Sequence, residues 1–203
     1  MKFSKFFSNI QEAPWYRSFL NPVIDAVDGN GRLLDIGTGS GKMIQILSVE
    51  KGLKCVGGDT NADMLAEAET KLCNTDAKLV EILPGAKLPF ENDSFDYVTI
   101  CSVLFLLKRE AIDDMLNDAR QLLKEGGKII VLTPTGNGGL LKLTRRFFSL
   151  KNKSVYVWYR ATKGNARRWM AENYLAEYVS REKLMYKREV VMDGFAQIEV
   201  IWR

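Results

Sequence analysis

Histidine is absent from this 203-residue sequence, which contains only three cysteines. Without an imidazole, a Ser-His-Asp triad, a histidine general base and a histidine metal ligand are all excluded. Cys55, Cys73 and Cys101 form no C-x-x-C pair and are odd in number. This pattern disfavours a disulfide framework or a zinc knuckle and makes a reducing cytoplasm the expected location. We therefore predict no metal site.

Long apolar runs are also missing. The opening stretch, residues 1–16, is interrupted by Lys5 and by polar residues, and this pattern predicts neither a signal peptide nor a membrane span. The 29 basic and 25 acidic residues give a formal charge of +4. That imbalance is too mild to indicate a nucleic-acid partner by itself. The expectation is a soluble or peripheral protein.

What is present is an alternation of strand and helix patterns. Five short apolar runs with turn signals at their ends are typical of buried parallel strands, at 32–36, 53–58, 77–83, 95–101 and 127–133. Helical patterns occupy 41–52, 61–73 and 109–127, and the last carries an apolar stripe that is expected to end at Gly126-Gly127. The alternation predicts an α/β fold with a doubly wound sheet.

The end of the chain, residues 186–203, allows two interpretations. It could be the tail of a helix followed by one strand, or two strands joined by Asp193-Gly194. Lys187 and Arg188 fall where a helix would need its apolar face, so we favour the hairpin. The prediction is a seven-stranded, mostly parallel sheet, Rossmann-like, with one antiparallel strand in a terminal β-hairpin.

We expect residues 1–203 to form a single domain, because domains usually run about 100 to 200 residues. Within it, residues 1–29 are expected to form a helical N-terminal cap and residues 30–134 a ligand-binding core. Residues 135–185 are expected to form a basic and aromatic lid with a helix, and residues 186–203 the closing hairpin.

The stretch "LLDIGTGSGK", residues 33–42, places Asp35 before three glycines that open a helix. Glycines let a ligand approach the backbone, and the helix N-terminus offers free N–H groups, as in the first turn of a nucleotide-binding crevice. A P-loop is disfavoured because Ile36 stands at its first glycine position and Met43 replaces the magnesium-binding hydroxyl. A dinucleotide fingerprint is disfavoured because the third glycine arrives one residue early and Asp35 would repel a pyrophosphate. Asp35 favours a ligand with a positive charge.

S-adenosylmethionine carries an ammonium and a sulfonium but no phosphate, and the sequence resembles the class I S-adenosylmethionine-dependent methyltransferases. It is most similar to the ubiquinone and menaquinone biosynthesis branch, methyltransferase type 11. The resemblance covers about residues 30 to 134 through linked motifs in the family's order, namely "LLDIGTGSG", "VGGDTNADML", "LPFENDSFDYVTI" and "LLKEGGKIIVLTP". A lone glycine loop would be weak support, whereas these motifs at family-like spacing are strong support.

The resemblance implies S-adenosyl-L-methionine as cofactor. Thr38 or Ser40 would line its methionine part with the glycines, Asp35 would orient that part through backbone groups and water, and Asp59 would take the ribose hydroxyls. The cofactor-binding residues implied in this way are Asp35, Gly37, Thr38, Gly39, Ser40, Gly41, Asp59, Thr60, Met64, Pro84, Gly85, Ala86, Cys101 and Tyr16.

The sequence departs from the family at two places. Pro84 stands where the family usually has an acid or amide for the adenine amino group, although the backbone of Gly85 could still meet the ring. Phe105 and Leu106 stand near the position where members with a base often show histidine. No catalytic residue is nominated.

Two of these residues have alternative interpretations. Asp59 could simply cap the helix that starts near Asn61. Cys101, expected at the carboxyl end of the fourth strand, could be a cofactor neighbour or a small buried hydrophobe. Nothing supports a role for Cys101 as a nucleophile, since no neighbouring base or cation is visible.

From Gly126 through Ala171 the sequence has no acidic residue, while lysine and arginine accumulate beside Leu, Phe, Tyr and Trp. This composition suits an interfacial helix on anionic lipid, or a lid over a hydrophobic or acidic substrate. The alternative is an ordinary amphipathic lid packed on the sheet edge with its charges in water. At the other end, residues 14–27 are expected to close the crevice, so that Tyr16 and Arg17 could reach the cofactor or the substrate.

The predicted function is an S-adenosylmethionine-dependent methyltransferase that moves a methyl group to a small or lipophilic acceptor by in-line displacement. The absence of an Asn/Asp-Pro-Pro-Tyr segment after the fourth strand argues against methylation of DNA adenine, and nucleic-acid partners are disfavoured. Two alternatives remain open: an RNA methyltransferase that uses the basic segment 135–171, and a non-catalytic module that binds cofactor or a lipid surface. The expected location is the cytoplasm, with peripheral contact to anionic membrane as a further hypothesis.

Overall fold

The computed structural model describes residues 8–203, which contain seven strands. They are β1 (Arg32–Ile36), β2 (Lys54–Asp59), β3 (Lys78–Glu81), β4 (Phe95–Cys101), β5 (Leu123–Pro134), β6 (Met185–Val191) and β7 (Ala196–Trp202). They form one sheet in the order β3-β2-β1-β4-β5-β7-β6. Pairs among β1 to β5 are parallel, and β7 is antiparallel to both β5 and β6. The predicted sheet with one antiparallel strand is confirmed.

Helices cover both faces of the sheet. Residues 8–11 are helical, and the longer helices are α1 (Pro14–Ala26), α2 (Lys42–Lys51), α3 (Ala62–Leu72), α4 (Arg109–Leu122), α5 (Leu140–Phe147), α6 (Ser154–Glu172) and α7 (Tyr174–Arg181). Among the described helices, none has both the length and the apolar character needed to cross a bilayer.

Strand alternation divides the buried side chains into two cores. Leu33 points to the face covered by α1, α2, α3 and α5, and Leu34 points to the face covered by α4 and α7. Helix α6 contributes to both cores, with Trp158 in the first and Trp169 in the second. Between these tryptophans, Arg167 Nε donates to the carbonyl of Gly136, 3.0 Å away and just beyond the end of β5. Helix α6 therefore passes over the carboxyl end of β5.

Two details of the sequence prediction are wrong. The helix expected over 109–127 ends at Leu122, because Leu123 is buried and pairs with Phe95 as the first residue of β5. Gly126, at φ +74°, lies in the bulge where the β4–β5 register shifts. Glycine here permits a bulge inside a strand and does not end a helix.

The hairpin link is also longer than the expected two residues. Val191 pairs with Ala196, so four residues connect β6 and β7. Phe195 is only 1% exposed, and its ring packs edge-on to Tyr159 with centroids 6.0 Å apart. Phe195 lies outside the β6–β7 pairing, although its carbonyl accepts from the Thr135 N–H at 3.0 Å, and Asp193 adopts a left-handed conformation at φ 55° in the turn.

Candidate functional site

The loop from Gly37 to Gly41 connects β1 to α2 at the carboxyl edge of the sheet. The backbone N–H groups of Gly37 and Thr38 both donate to the carbonyl of Gly58, at 2.8 and 3.0 Å. Gly37, Gly39 and Gly41 have φ of 78°, 57° and 77°, where side chains are strained. A Cβ on Gly37 would lie 2.3 Å from a methyl group of Val103. The glycines are thus required by the turn and by the close packing of Val103.

Asp59, the last residue of β2, ties this loop to the next one. Its Oδ2 accepts from the N–H of Gly39 at 2.8 Å, and its Oδ1 accepts from the N–H of Asn61 at 2.9 Å. The N-cap of α3 is Asn61, whose side chain accepts from the N–H of Met64. The alternative interpretation of Asp59 as the helix cap is therefore wrong. A carboxylate has about four acceptor positions, so each oxygen of Asp59 can accept a further hydrogen bond.

Asp35 lies inside the sheet, and its residue is only 2% exposed. In the β1–β4 register it faces Thr99, whose hydroxyl donates to Asp35 Oδ1 at 2.9 Å. Burial raises the pKa of Asp35 to about 7, although the hydroxyls of Thr38 and Thr99 oppose this shift. A buried carboxyl without a cationic partner is costly, so this position favours a ligand that brings positive charge.

Thr38 and Ser40 are both buried in the loop. The Ser40 hydroxyl donates to Gln11 Oε1 at 2.5 Å and accepts from Lys71 Nζ at 2.8 Å. The Ser40 hydroxyl therefore already has both a donor and an acceptor within the protein.

The residues expected around the adenosine lie along the neighbouring edge. Met64 is buried at the start of α3, and Thr60 is exposed beside Asp59. Pro84, Gly85 and Ala86 form an exposed turn after β3, in which the Ala86 N–H donates to the Leu83 carbonyl at 3.1 Å. A Cβ on Gly85 would meet nothing within 4 Å, so the backbone there is open to a ligand.

Cys101 ends β4 on the same side as Asp35. Its sulfur lies 3.7 Å from the Met43 sulfur, and burial, followed by the charge of Asp35, raises the pKa of the thiol well above its usual value. A thiol held neutral is a poor nucleophile. This environment disfavours nucleophilic chemistry at Cys101, and both interpretations, a cofactor neighbour and a small buried hydrophobe, stay predictions.

Ser102 follows Cys101 and was not singled out from the sequence. It adopts φ 58°, and among the described residues its buried hydroxyl has no hydrogen-bond partner. Non-glycine residues in this conformation cost about 1–3 kcal/mol and often occur at functional sites. No local sequence signal distinguishes this serine.

The segment before and within α1 lies against the glycine loop. The phenol of Tyr16 accepts from Gln11 Nε2 at 3.3 Å, and burial, with the nearby Cys101 and Asp35, raises its pKa. A Cβ on Gly39 would lie 2.9 Å from Gln11 Nε2. Arg17 instead pairs with Glu50 of α2 at 2.5 Å, and its contact with the cofactor or the substrate stays a prediction.

Glu12 fastens the same segment to the core, and sequence reasoning missed it. Its carboxylate oxygens lie 2.7 Å from Lys42 Nζ and 2.6 Å from Lys71 Nζ. We call residues 11–16 the N-terminal clasp. Gln11 contacts Ser40 of the glycine loop and the phenol of Tyr16, and Glu12 pairs with the two lysines beside the loop.

The structure thus gathers Asp35, the glycine loop, Asp59, Cys101 and Tyr16 at the carboxyl ends of the central strands, where open α/β sheets bind ligands. Two acids and no phosphate-binding cation in the loop suit a cationic adenosyl ligand. These features fit S-adenosylmethionine.

Comparison with known proteins supports this interpretation. The family model described as "Methyltransferase domain" matches residues 34–131. The chain is 31% identical over 119 residues to the ubiquinone/menaquinone biosynthesis C-methyltransferase UbiE of Geobacter sp. (strain M21), covering 54% of the chain and 49% of that protein. It is 34% identical over 116 residues to the demethylmenaquinone methyltransferase of Bacillus cereus (strain ATCC 10987 / NRS 248), covering 54% and 47%. The chain spans about half the length of these curated relatives.

Solved structures show the same fold over nearly the whole chain. A SAM-dependent methyltransferase from Aquifex aeolicus superposes with a TM-score of 0.69 at 15% identity, covering 98% of both chains. A TehB-like SAM-dependent methyltransferase from Corynebacterium glutamicum gives a TM-score of 0.63 at 15% identity, covering 92% of this chain and 87% of that one. Residues 34–131 thus match the methyltransferase domain family, and the chain has the fold of the S-adenosylmethionine-dependent methyltransferases.

Proposed function

We propose that this protein transfers a methyl group from S-adenosylmethionine to a small or lipophilic acceptor. The observation that carries the proposal is the pair of acids, Asp35 and Asp59, placed on either side of one glycine loop. Asp59 already holds the N–H of Gly39, and Asp35 is buried with a raised pKa. A cationic adenosyl compound can contact both carboxylates, Asp35 with its ammonium and Asp59 with its ribose hydroxyls, and few other ligands offer both groups.

In the proposed site, the remaining acceptor positions of Asp59 take the ribose hydroxyls, and the charge of Asp35 stabilises the ammonium end. The backbone around Gly85 meets the adenine edge, because no side chain there can replace the missing acid or amide. When bound, S-adenosylmethionine supplies a methyl group already activated by its sulfonium.

The protein then mainly has to hold the acceptor in line with that methyl group and exclude water, which can contribute several kcal/mol. The N-terminal clasp and helix α6 cover the carboxyl edge of the sheet on either side and are the elements suited to this. With no histidine in the chain, an acceptor that is already nucleophilic, such as a quinol, a phenol or an amine, needs the least help.

The lipophilic acceptor class is supported by the relatives named for ubiquinone and menaquinone biosynthesis. It is also supported by the apolar and basic character of residues 135–185, which lie outside the matched domain. A quinol-type ring is the acceptor we propose to try first.

The experiment is turnover of methyl-labelled S-adenosylmethionine with a panel of quinols, phenols and amines. We expect the label to appear in at least one acceptor. Asp59→Asn should lose this transfer, whereas the control Asp63→Asn, which changes an exposed acid on α3, should keep it. Cofactor binding with no turnover on any acceptor would favour a non-catalytic binding module.

RNA is the second acceptor class, favoured by the absence of acids from 126–171. RNA binding through these cations should weaken steeply as salt rises, because counterions are released. RNA binding that is absent or insensitive to salt would remove this alternative.

A further inference from the structure

Five large apolar side chains between residues 140 and 157 are exposed. Leu141, Phe148 and Leu150 are 86%, 85% and 91% exposed, and Leu140 and Val157 are 52% and 48% exposed. We call Leu140, Leu141, Phe148 and Leu150 the apolar tip. Single exposed apolar residues are ordinary on protein surfaces, but four within eleven consecutive positions mark a surface that contacts something.

The core does not need these side chains. Helix α5 already buries Leu143 and Phe147, at 0% and 5% exposure, against the first core. Leu141 and Phe148 point away from it. Helix α5 and the residue after it therefore carry apolar side chains that the fold buries and others that it leaves in water.

Near the apolar tip, Arg146 pairs with Asp193, but five other basic residues have no acidic partner in the described part of the chain. Lys142, Arg145, Lys151, Lys153 and Arg160 are exposed, and among residues 8–203 no carboxylate lies within 4.0 Å of any of them. Surface cations elsewhere are often paired, as Arg17 is with Glu50 and Arg181 with Asp113. Lys142, Arg145, Lys151 and Lys153 thus place positive charge that no described acid neutralises beside the protruding apolar side chains.

We propose that residues 140–153 dock on an anionic lipid bilayer. The apolar tip enters the boundary between headgroups and acyl chains, and Lys142, Arg145, Lys151 and Lys153 contact the lipid phosphates. The surface follows β5, whose carboxyl end borders the candidate site, so docking would bring the site close to a membrane-dissolved acceptor. This inference goes beyond the proposed methyl transfer and holds whether or not any acceptor is methylated.

The chemistry of the apolar tip favours lipid over RNA. Three of its four side chains are aliphatic, and only Phe148 has an aromatic face on which a base could stack. Their transfer into hydrocarbon, by contrast, is favourable in proportion to their exposed area.

The apolar contribution is tested by co-sedimentation with vesicles of phosphatidylglycerol and phosphatidylcholine, using the whole chain. We expect the wild-type protein to bind these vesicles and not vesicles of phosphatidylcholine alone. The double variant Phe148→Ser, Leu150→Ser should bind at least about tenfold more weakly. Serine removes the favourable free energy of transferring each apolar side chain from water into the bilayer. The matched control is Val49→Ser, which removes a 69% exposed apolar side chain from α2 and should bind like the wild type.

The charge contribution is tested with Lys142→Gln, Lys151→Gln. Each lysine near an anionic surface contributes roughly fivefold in binding, so the double variant should bind about 25-fold more weakly. Lys54→Gln, an exposed lysine at the start of β2, is the control and should have no such effect. All of these side chains face water, so the variants should keep the wild-type melting temperature.

Three results would overturn the proposal. The first is no difference between anionic and neutral vesicles. The second is binding to RNA, with no vesicle binding, that the Lys142→Gln, Lys151→Gln variant abolishes. The third is a wild-type dimer in sedimentation analysis that binds no vesicles and that Phe148→Ser, Leu150→Ser converts to monomer, which would assign the apolar tip to a second copy of the chain.

Discussion

Asp59 joins two loops through one carboxylate, which in the proposed site also binds the ribose. Replacing it with asparagine keeps one acceptor oxygen but removes the charge, and hydrogen bonds to a charged group are worth about 2 kcal/mol. We predict that Asp59→Asn binds S-adenosylhomocysteine, the demethylated cofactor, about thirtyfold more weakly in isothermal titration calorimetry. Unchanged affinity in Asp59→Asn would remove Asp59 from the site, and Asp63→Asn serves as the control.

The raised pKa of Asp35 leads us to predict that cofactor affinity depends on pH. Its pKa is raised to about 7, so the carboxylate becomes ionised between pH 6 and pH 8. The ionised form attracts the ammonium of the ligand, and affinity should rise about tenfold over this range. Asp35→Asn should bind weakly and with a flat pH profile. A wild-type profile equally flat over this range would contradict the assignment.

The Asp35 carboxyl should also affect the stability of the fold. As pH rises, cofactor affinity should increase, whereas the free energy of unfolding should decrease. In the unfolded chain it ionises near pH 4, and in the folded protein near pH 7, so between these values the unfolded state binds fewer protons. Asp35 therefore lowers the free energy of unfolding as pH rises through this window. The difference in melting temperature between Asp35→Asn and the wild type should therefore shift in favour of the variant when the pH is raised from 5 to 7. Thermal melts of both proteins at the two pH values measure this shift.

At the scale of elements, the N-terminal clasp should control how long the cofactor stays bound. Glu12 holds Lys42 and Lys71, which flank the glycine loop, while Gln11 holds Ser40 within it. Two partly exposed ion pairs are together worth about 1 kcal/mol, so Glu12→Gln should release S-adenosylhomocysteine about fivefold faster in stopped-flow measurements.

Glu50→Gln is the matched control for this prediction. It removes the ion pair between Glu50 and Arg17, which holds helix α1 on its outer side and does not contact the glycine loop. If both variants changed the release rate equally, the effect would come from general loosening of α1 and not from the clasp.

The elements themselves were largely predictable from the sequence. The five core strands and the final hairpin are set by apolar runs and turn residues, which act locally. The predicted end of helix α4 and the predicted length of the hairpin link were wrong because tertiary packing determines both. Leu123 continues into a strand because it pairs with Phe95, and Phe195 lengthens the hairpin link because its ring is buried.

For the molecule as a whole, the sequence located the two acids and the glycine loop but not their surroundings. Thr99 lies 64 positions from Asp35, and Gln11 lies 29 positions from Ser40. Such contacts depend on the strand order and on where α1 packs, and no local pattern encodes them. Ser102 was missed for the same reason.

The whole molecule is also expected to separate cofactor binding from membrane docking. The matched domain, residues 34–131, contains the proposed cofactor-binding residues apart from Tyr16, whereas the apolar tip lies outside it. The variant Phe148→Ser, Leu150→Ser should therefore keep the wild-type affinity for S-adenosylhomocysteine in calorimetry. A loss of affinity as large as that of Asp59→Asn would show that the two regions are not independent.

The most direct measurement is a crystal structure of the protein with S-adenosylhomocysteine. The account predicts the ribose hydroxyls within hydrogen-bond distance of Asp59, the amino-acid end over the glycine loop on the side of Asp35, and the sulfur directed toward Cys101 and Ser102. Density for the ligand elsewhere on the protein, or an empty crevice at saturating ligand, would contradict it.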